Sequence, residues 1–460
     1  MAQGLHLSGV VGARFPGLFR YRHQMSALLR GGWITVKNVN RVTVVAVFAL
    51  LLSACAFSQT VFSVVKVPGS SPDTVIGINN GGQVLVNTGT SSSYQVSTWS
   101  RTGGSQSVGL TGTNSGGAAI NSSGDIVGAG DPNHTGNLQA FVWQPTLGVQ
   151  WLGSLGGALS AATGINNAGA VVGLSYTATD TQHAFLWTAA GGMRDLTPDL
   201  TSIGGGSAMA VNSSNQVVGY YFPNGGLNTL GFLWTEASGL QNLGSAGTLA
   251  YAVNDSGTVV GQTTVANGYR HAFSWTETVG IKDLGTLGGE SSALSINSRG
   301  WIVGTSLTNS GDGLLHGYLW TPSAGMQDFT VLAGLAPTQQ TYSVQVNDFG
   351  VVAISTSKAS YLLVPKMTAT FTSSANPSVL GQPVTFTATL TSIAGPPPDG
   401  ETVQFVVGTK VLGSATLKGG VAQFTTSAIP VGSHLVSANY SGDANYLPTK
   451  YKALTQVVNK

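Results

Sequence analysis

Residues 165–187 read INNAGAVVGLSYTATDTQHAFLW, and this stretch holds the two markers on which the fold prediction rests. The first marker is an aliphatic residue and an Asn, followed by a short polar turn and a β-branched pair, as in Ile165-Asn166 to Val172. The second marker is the aromatic segment Ala184-Phe185-Leu186-Trp187. Short β-branched and aromatic runs separated by tight turns are typical of antiparallel strands.

Both markers recur along most of the chain. The Asn marker occurs seven times, at spacings of 42, 45, 46, 42, 43 and 50 residues. Its positions are Asn79, Asn121, Asn166, Asn212, Asn254, Asn297 and Asn347. The Trp marker follows the same period at Trp99, Trp143, Trp187, Trp234, Trp275 and Trp320. A seventh Trp is due near 361–363, where Tyr361-Leu362-Leu363-Val364 stands instead. A period of about 40–45 residues with four strands per unit indicates the blades of a β-propeller.

The number of strands predicts how such a propeller closes. Strands one, two and three each occur seven times, but strand four follows its own strand three only six times. A strand-like segment, Val61–Val67, precedes the first complete unit. We therefore predict an all-β chain whose residues 61–364 form a seven-bladed β-propeller of four-stranded blades, the last blade completed by 61–67. Closure of this kind leaves only short, protected sheet edges.

The period stops at Pro365-Lys366-Met367, and a different pattern begins. Apolar and polar residues alternate in Val384–Leu390 and again in Val403–Val407. Some seven such runs in about 95 residues predict an immunoglobulin-like β-sandwich over 367–460. The segment Tyr440–Tyr446 resembles the ending motif of bacterial Ig-like repeats, modules that usually serve as spacers or adhesive units.

Residues 1–56 are predicted to be an N-terminal extension and secretion signal. Arg41 precedes an apolar run, Val42 to Leu52, which small residues follow. A basic segment, a short apolar core and small residues at a cleavage point indicate export rather than a membrane span. The signal lies deep in the chain, so translation from Met25 is an alternative to Met1.

Two processing routes are open at the end of this signal. Leu52-Ser53-Ala54-Cys55 resembles a bacterial lipobox, in which Cys55 would be the lipid attachment site. Ordinary cleavage after Ala54-Cys55-Ala56 would discard it. Cys55 is the single cysteine of the chain, so on either route the exported protein has no internal disulfide.

Charge excludes one class of partner. Charged residues make up only 8% of the chain, and glycine contributes 64 of 460 residues. Residues 1–54 hold six basic side chains and no acidic one, which leaves thirteen basic and seventeen acidic residues and a net charge near −4. Nucleic acid binding needs a basic face, so we predict no nucleic acid partner. Beyond the signal no run approaches the ~18 apolar residues of a spanning helix, so membrane association would depend on a lipid at Cys55.

The central units also resemble a known repeat. His183–Trp187 and His271–Trp275 resemble the extracellular HAF repeat, as does Asp283-Leu284-Gly285-Thr286-Leu287-Gly288-Gly289. The resemblance covers about 61–364 and fades in the first and last units. It implies export and a repeated β-fold, and it implies no established activity.

The repeated Asn and Trp residues are predicted to be structural. An Asn at a strand end, with Gly three residues on in most copies, can bond the backbone of its own turn. A Trp gives each blade an apolar anchor, and the Phe-x-Trp spacing places both rings on one strand face. A ligand site seldom needs the same residue on every blade.

No catalytic, cofactor-binding or metal-binding residues are predicted, and no cofactor. His183, His271 and His316 occupy matching places in different blades and should diverge rather than converge on a metal. Asp195, Asp283 and Asp328 are interpreted as charges on outer edges. Paired carboxylates of a glycosidase could come only from the non-repeating acids. Those are Asp125, Asp131, Asp180, Glu290 and Asp312.

The sequence thus predicts a non-enzymatic, exported protein of the extracellular space or cell envelope. Its propeller would present a platform to a protein or a glycan, and the Ig-like domain would space or dock it. One alternative is a secreted carbohydrate-active enzyme on the same propeller. The other is a structural envelope protein with no specific ligand.

Overall fold

The computed structural model describes residues 60–68, 74–90, 93–110, 115–133, 135–198, 205–223, 228–309 and 311–460. Met25 and Cys55, and with them the signal and lipobox predictions, lie outside the described residues.

The described residues form seven four-stranded antiparallel sheets, the blades, in addition to a C-terminal β-sandwich. Blades 1 to 3 comprise β2 (Thr74–Ile78), β3 (Val84–Thr90), β4 (Ser93–Ser100), β5 (Gly104–Ser107); β6 (Gly116–Ile120), β7 (Ile126–Gly130), β8 (Gln139–Gln144), β9 (Gly148–Gly153); and β10 (Gly156–Ile165), β11 (Val171–Thr177), β12 (Gln182–Thr188), β13 (Gly192–Asp195). Blades 4 to 6 comprise β14 (Gly206–Val211), β15 (Val217–Tyr221), β16 (Leu230–Thr235), β17 (Gly239–Asn242); β18 (Leu249–Val253), β19 (Val259–Thr264), β20 (Arg270–Thr276), β21 (Gly280–Asp283); and β22 (Gly288–Ile296), β23 (Ile302–Thr308), β24 (Leu315–Thr321), β25 (Gly325–Asp328). Blade 7 contains β26 (Thr341–Val346), β27 (Val352–Thr356) and β28 (Ser360–Pro365), and its outer strand is β1 (Phe62–Lys66).

The blades form a closed ring. The first strand of each blade contacts the first strand of the next blade, and β2 contacts both β6 and β26. Within blades 1 to 6 the strands follow chain order from inside to outside, whereas the order in blade 7 is β26-β27-β28-β1. The predicted seven-bladed propeller is therefore confirmed.

The N-terminal strand closes the ring as the strand count predicts. β1 pairs with β28 in an antiparallel register that sets Phe62 opposite Pro365 and Lys66 opposite Tyr361. Phe62 is buried and meets Phe329, in the short helix Phe329–Leu332, edge to face at 5.9 Å between ring centroids. Since β1 and β28 lie about 300 residues apart in sequence, the first and last segments of the propeller hold each other.

The ring has two faces. Because strands within a blade are antiparallel, the turns after strands one and three share one face, which carries the repeated Asn residues and is called the asparagine face here. The turns after strand two and the connections between blades lie on the opposite face, called the far face. β1 begins and β28 ends at the asparagine face, where the Lys366 N–H donates to the Val61 carbonyl at 2.8 Å.

Apolar side chains fill the wedges between blades. Phe185 and Trp187 share one cluster with Val127 and Leu152 of the preceding blade. Each of the six repeated Trp residues stands opposite the first residue of strand two, and in blade 7 the residue in that register is Leu363, opposite Val352. A buried Leu thus takes the place of the missing seventh Trp.

Strand two approaches strand one very closely at a recurring glycine. A Cβ added to Gly173, in the Val171-Val172-Gly173 segment, would lie 2.0 Å from the backbone oxygen of Ala161. Equivalent glycines in blades 2, 4, 5 and 6 are equally crowded by a backbone oxygen, at 1.9–2.1 Å. The approach coincides with a bulge in strand one, which explains why the β-branched pair is followed by Gly in these blades.

The C-terminal β-sandwich has two sheets around one core. Its strands are β29 (Thr368–Ser373), β30 (Ser378–Val379), β31 (Val384–Thr391), β32 (Thr402–Val407), β33 (Lys410–Thr416), β34 (Val421–Thr426), β35 (Gly432–Tyr440), β36 (Thr449–Lys450) and β37 (Leu454–Asn459). One sheet has the order β29-β31-β34, and the other β30-β37-β35-β32-β33 with β36 beside β35. Phe386 and Phe405 lie in the buried core between them.

Candidate functional site

The seven repeated asparagines form a closed ring of hydrogen bonds at the asparagine face. Each side-chain Nδ2 donates to the backbone oxygen of the corresponding Asn in the next blade, and Asn347 donates to Asn79 to complete the circle. The seven distances lie between 2.9 and 3.2 Å. All seven residues are buried, so these bonds lie away from water and join every blade to its neighbour.

The same side chains also hold their own turns. The Oδ1 of Asn212 accepts from the backbone N–H groups of Ser214 and Gln216, at 3.1 and 2.9 Å. In every blade the ring Asn accepts from the N–H four residues on. The residue three positions on has a positive φ in each turn; six are Gly, and the seventh is Asn215 at φ 56°. Each Asn therefore serves two structural functions, one within its turn and one between blades.

A second tier of bonds lies one residue beyond the ring. The backbone N–H of Ser122 donates to Asn167, that of Ser213 to Asp255 and that of Ser298 to Asp348, at 2.7–2.9 Å. At the position after the ring Asn, Ser alternates with Asn or Asp from blade to blade. Because the number of blades is odd, two of the larger side chains become neighbours where blade 7 meets blade 1. There Asn80 Nδ2 donates to Asp348 Oδ2 at 2.7 Å, while the Asp348 N–H donates back to Asn80.

Asp348 connects three blades and has an altered pKa. Burial by itself raises the pKa of this carboxyl, but hydrogen bonds from Ser298 and Asn80 and the charge of Arg299 outweigh it, so the pKa lies below its usual value. A carboxyl with a lowered pKa in the folded state stabilises the fold above its unfolded pKa, and this contribution disappears as the pH falls through the folded value.

We predict that Asp348→Asn destabilises the propeller at neutral pH and much less in acid. The expected loss at pH 7 is about 1 kcal/mol, a modest value because Asp348 is only half-buried. Urea unfolding of the wild type and of Asp348→Asn at pH 7 and near pH 3 measures this loss. The difference between the urea midpoints of the two proteins should be smaller at the lower pH. A gap that is equal or wider in acid would contradict the assigned role of Asp348.

A cavity of about 250 Å³ opens inside the ring. Its lining repeats around the axis: an aliphatic residue such as Ile165, the ring Asn, and the residue that follows. The ring Nδ2 groups already donate to backbone oxygens, and five of them make a second bond to a side-chain oxygen. A ligand here would compete with bonds that hold the ring, so the geometry favours a structural function for this cavity.

The Ig-like domain docks on the asparagine face through its Tyr440–Tyr446 segment. Asn445 is buried, accepts from Asn347 Nδ2 at 2.7 Å and donates to the Asn80 carbonyl at 2.9 Å. In blade 7 the residue four beyond the ring Asn is Val351, which has no side-chain oxygen to offer. Asn445 therefore supplies the second acceptor that Gln83 provides to Asn79 in blade 1.

Arg101 and an aromatic pair extend this interface. The Nη1 of Arg101 donates to the backbone oxygens of Asp443 and Tyr446, at 3.0 and 3.2 Å. The rings of Phe349 and Tyr446 meet edge to face with centroids 6.0 Å apart. The Ig-like domain thus contacts the turns of blades 7 and 1.

We predict that the double variant Arg101→Ala/Asn445→Ala releases the Ig-like domain while both domains stay folded. It removes two anchors and leaves the partly buried Asn80 carbonyl without its side-chain donor, an unfavourable state in a closed interface. Small-angle scattering should show a larger radius of gyration, with circular dichroism unchanged. Asn459→Ala, an exposed Asn of the same domain, is the control and should not change the scattering. A double variant as compact as the wild type would show that these contacts do not hold the domain.

Three His–Asp pairs join strand three to strand four. His183 Nδ1 lies 2.6 Å from Asp195, His271 lies 2.8 Å from Asp283, and His316 lies 2.7 Å from Asp328. The other oxygen of each Asp accepts the N–H two residues on, from Thr197, Gly285 and Thr330 respectively. Each Asp ends the outer strand of its blade, where the sequence placed an edge charge, and it also holds a His of the neighbouring strand and the start of the next connection. Among the residues that the structure describes, no group of three metal-ligating side chains is found.

The non-repeating acids occupy separate local positions. Asp125 accepts from Asn121 at 3.0 Å, Glu290 from the Arg270 N–H at 3.2 Å, and Asp312 from the Leu314 N–H at 2.9 Å. Asp131 is buried and accepts from two N–H groups of its own loop, while Asp180 occupies a turn with φ 61°. Each acid thus has a local structural explanation.

Within the described residues, the far face carries side chains that differ between blades in addition to the His–Asp pairs of blades 3, 5 and 6. Between blades 4 and 5 it carries Tyr220 and Phe222, edge to face at 5.9 Å between ring centroids, and Tyr251 lies farther along the ring wall in β18. Tyr220 and Arg270 both lie near the hydroxyl of Tyr251. Burial, and to a lesser extent Tyr220, raises the pKa of Tyr251 to about 12. Tyr269, in the adjacent hairpin, is 57% exposed. The sequence prediction named none of these residues, because they do not repeat.

The fold and this geometry define the class of protein: a closed seven-bladed β-propeller with an immunoglobulin-like domain fixed to one face. The C-terminal part, residues 371–459, matches the family described as bacterial Ig-like domain (group 3). No curated protein matches the chain. No helix among the described residues has the length and apolar character needed to cross a bilayer.

Solved structures with a similar fold are remote. A streptogramin B lyase is 14% identical, with 66% of this chain and 98% of that chain covered and a TM-score of 0.47. Virginiamycin B lyase from Staphylococcus aureus is 12% identical over 66% and 98%, with a TM-score of 0.46. The extracellular domain of a proposed hybrid two-component system from B. thetaiotaomicron is 8% identical over 87% and 59%, with a TM-score of 0.45. No activity or ligand is carried over from proteins at this distance.

Proposed function

We propose that this protein is an exported, non-enzymatic binding platform whose far face takes up a glycan. The observation that carries the proposal is the division of labour between the two faces. The asparagine face has the same residue on every blade, uses those residues in its own bonds, and holds the Ig-like domain. The far face has blade-specific aromatic and polar side chains, the kind of surface that binds a ligand without sevenfold symmetry.

The absence of catalysis is part of the proposal, and the local bonding of the acids supports it. The three His–Asp pairs in the described part of the chain repeat between blades and serve as ties between strands. A typical glycoside hydrolase would need a pair of carboxylates at one site with room for substrate between them. The bonds of Asp125, Asp131, Glu290 and Asp312 to their own surroundings give those groups a structural use instead.

Export and a lipid at Cys55 also belong to the proposal, as does the resemblance to the HAF repeat. The chain enters the propeller at the asparagine face, next to the point where the Ig-like domain leaves it. The four residues between Cys55 and Thr60 give five Cα–Cα steps, at most about 18 Å. A lipid at Cys55 would therefore keep the first residue of the propeller within that distance of the lipid attachment point.

A glycan screen with the protein from Thr60 to Lys460 tests this function. The immobilised glycans should capture the protein, and chromatography of each bound oligosaccharide after prolonged incubation should return it uncleaved. A blank screen would contradict the glycan-binding function and favour the structural envelope protein. Cleavage of a bound oligosaccharide would establish the carbohydrate-active enzyme instead.

A further inference from the structure

The inner strands of blades 1 to 6 carry a bulge three residues before the ring Asn, and the bulged residue differs among these six blades. The register shift at this position leaves one residue unpaired in each of them. These residues are Ile76, Ala118, Thr163, Met209, Tyr251 and Leu294. A bulge redirects a side chain out of the regular strand pattern, and bulges are common next to binding sites. Tyr251 is the only aromatic residue of the six.

A second blade-specific position lies beside Tyr251. Eight residues beyond the ring Asn, blade 4 carries Tyr220. The other blades carry Asn87, Ala129, Leu174, Gln262, Thr305 and Ser355 there. Tyr220 packs edge to face against Phe222, which restrains both rings before any ligand arrives. Blades 4 and 5 thus bring two aromatic rings to the far face, and a third ring, that of Tyr251, lies next to Tyr220 in the ring wall.

The third component is a cation. Arg270 begins strand three of blade 5, is exposed, and lies near the hydroxyl of Tyr251. Glu290 accepts the backbone N–H of Arg270, yet no described carboxylate is within salt-bridge distance of the Arg270 guanidinium. A guanidinium beside aromatic rings suits a planar carboxylate, which it can bind through two parallel N–H···O bonds.

We propose that Tyr220, Tyr251 and Arg270 form a subsite for a carboxylate-bearing sugar, a uronic acid residue of an acidic polysaccharide. The sugar ring lies against the tyrosines, and its carboxylate pairs with the guanidinium. This subsite rests on the proposed glycan-binding function and adds the chemical class of the ligand. The low overall charge of the chain means that the selectivity comes from this local contact rather than from long-range attraction.

Calorimetric titration of the protein from Thr60 to Lys460 tests the subsite. The probes are oligogalacturonate, alginate oligosaccharide and a neutral oligogalactose matched in length. We expect at least one acidic probe to bind more tightly than the neutral probe. Arg270→Gln should weaken that binding about tenfold or more, to the level of the neutral probe, because a charge-assisted pair is lost. Arg270→Lys should recover only part of it, since an ammonium cannot pair in the same planar way.

Blade 7 supplies the controls. Lys358 stands where Arg270 stands in blade 5, five residues before the residue that pairs with the start of strand two. Tyr342 occupies a bulge of β26 that lies two residues nearer the start of the strand than the bulge of Tyr251 in β18. Lys358→Gln and Tyr342→Ala should leave the affinity unchanged, whereas Tyr251→Ala should weaken it as Arg270→Gln does. Melting temperatures of all variants check that they fold.

Three results would overturn the subsite: neither acidic probe binds, the acidic and neutral probes bind equally, or the blade 7 variants lose as much affinity as those of blade 5. If the glycan screen is positive and one of these results is found, the binding function stands and only the subsite is wrong. If the screen is blank, the function itself is wrong.

Discussion

Phe62→Ala is expected to lower the free energy of unfolding by about 3–5 kcal/mol, the usual range for an aromatic residue removed from a core. Phe62 is 1% exposed and packs with Phe329, Ile354 and Leu363. Because β1 is the outer strand of blade 7, the variant weakens the one blade built from both ends of the propeller. Equilibrium unfolding in urea measures the loss, and hydrogen exchange should show β28 opening first.

Val64→Ala is the control for this change. Val64 lies in the same strand but is 40% exposed, so its truncation should change the unfolding free energy by well under 1 kcal/mol. If Phe62→Ala were as mild as Val64→Ala, the packing of β1 would contribute little and the closure would not stabilise the ring.

Asn212→Ala is expected to destabilise the protein by about 3 kcal/mol. The variant removes two donated bonds, to the Asn254 carbonyl and the Gln216 side chain, and two accepted bonds from Ser214 and Gln216. Because Asn212 is only 3% exposed, water cannot replace these partners easily. Urea unfolding at neutral pH measures the loss.

Asn212→Asp separates the two functions of the ring residue. A carboxylate keeps the Oδ1 that accepts from Ser214 and Gln216, but it donates neither to the Asn254 carbonyl nor to the Gln216 side chain, so the loss reports the donated bonds together with the cost of a buried charge. We expect this variant also to be clearly destabilised, with Asn228→Ala, an exposed Asn of the same blade, near the wild type. An Asn212→Asp protein as stable as the wild type would mean that the ring of bonds between blades does not matter.

Most of the architecture could be predicted from the sequence, because each blade repeats the same local chemistry. The spacing of the Asn and Trp markers predicted seven units, and the missing fourth strand predicted that Val61–Val67 completes blade 7. The sequence also indicated that a Trp is missing at 361–363, and there Leu363 occupies the strand-three position that a Trp takes in the other six blades. These features depend on short-range patterns that one chain displays several times.

The bonds between blades could not be predicted in the same way. The sequence indicated that each Asn bonds its own turn, but the donation from Asn347 to Asn79 spans 268 residues and depends on the ring being closed. The contact of Asn445 with Asn347 joins two domains and has no signal in either repeat. The His–Asp pairs did have a signal, because all three are separated by twelve residues, and that constant spacing was missed.

The most direct test of ring closure is a disulfide between β1 and β28. Lys66 and Tyr361 are opposite each other, at a position where antiparallel Cα atoms lie about 4.5 Å apart and within disulfide range. In the protein from Thr60 to Lys460, which lacks Cys55, Lys66→Cys/Tyr361→Cys should oxidise almost completely to an internal disulfide, seen by mass spectrometry and by faster migration on a non-reducing gel. Lys66→Cys/Tyr342→Cys joins the outer and inner strands of the same blade, about 14 Å apart, and should stay reduced. Failure of the first pair to crosslink, or equal crosslinking of both pairs, would contradict a ring closed by its first strand.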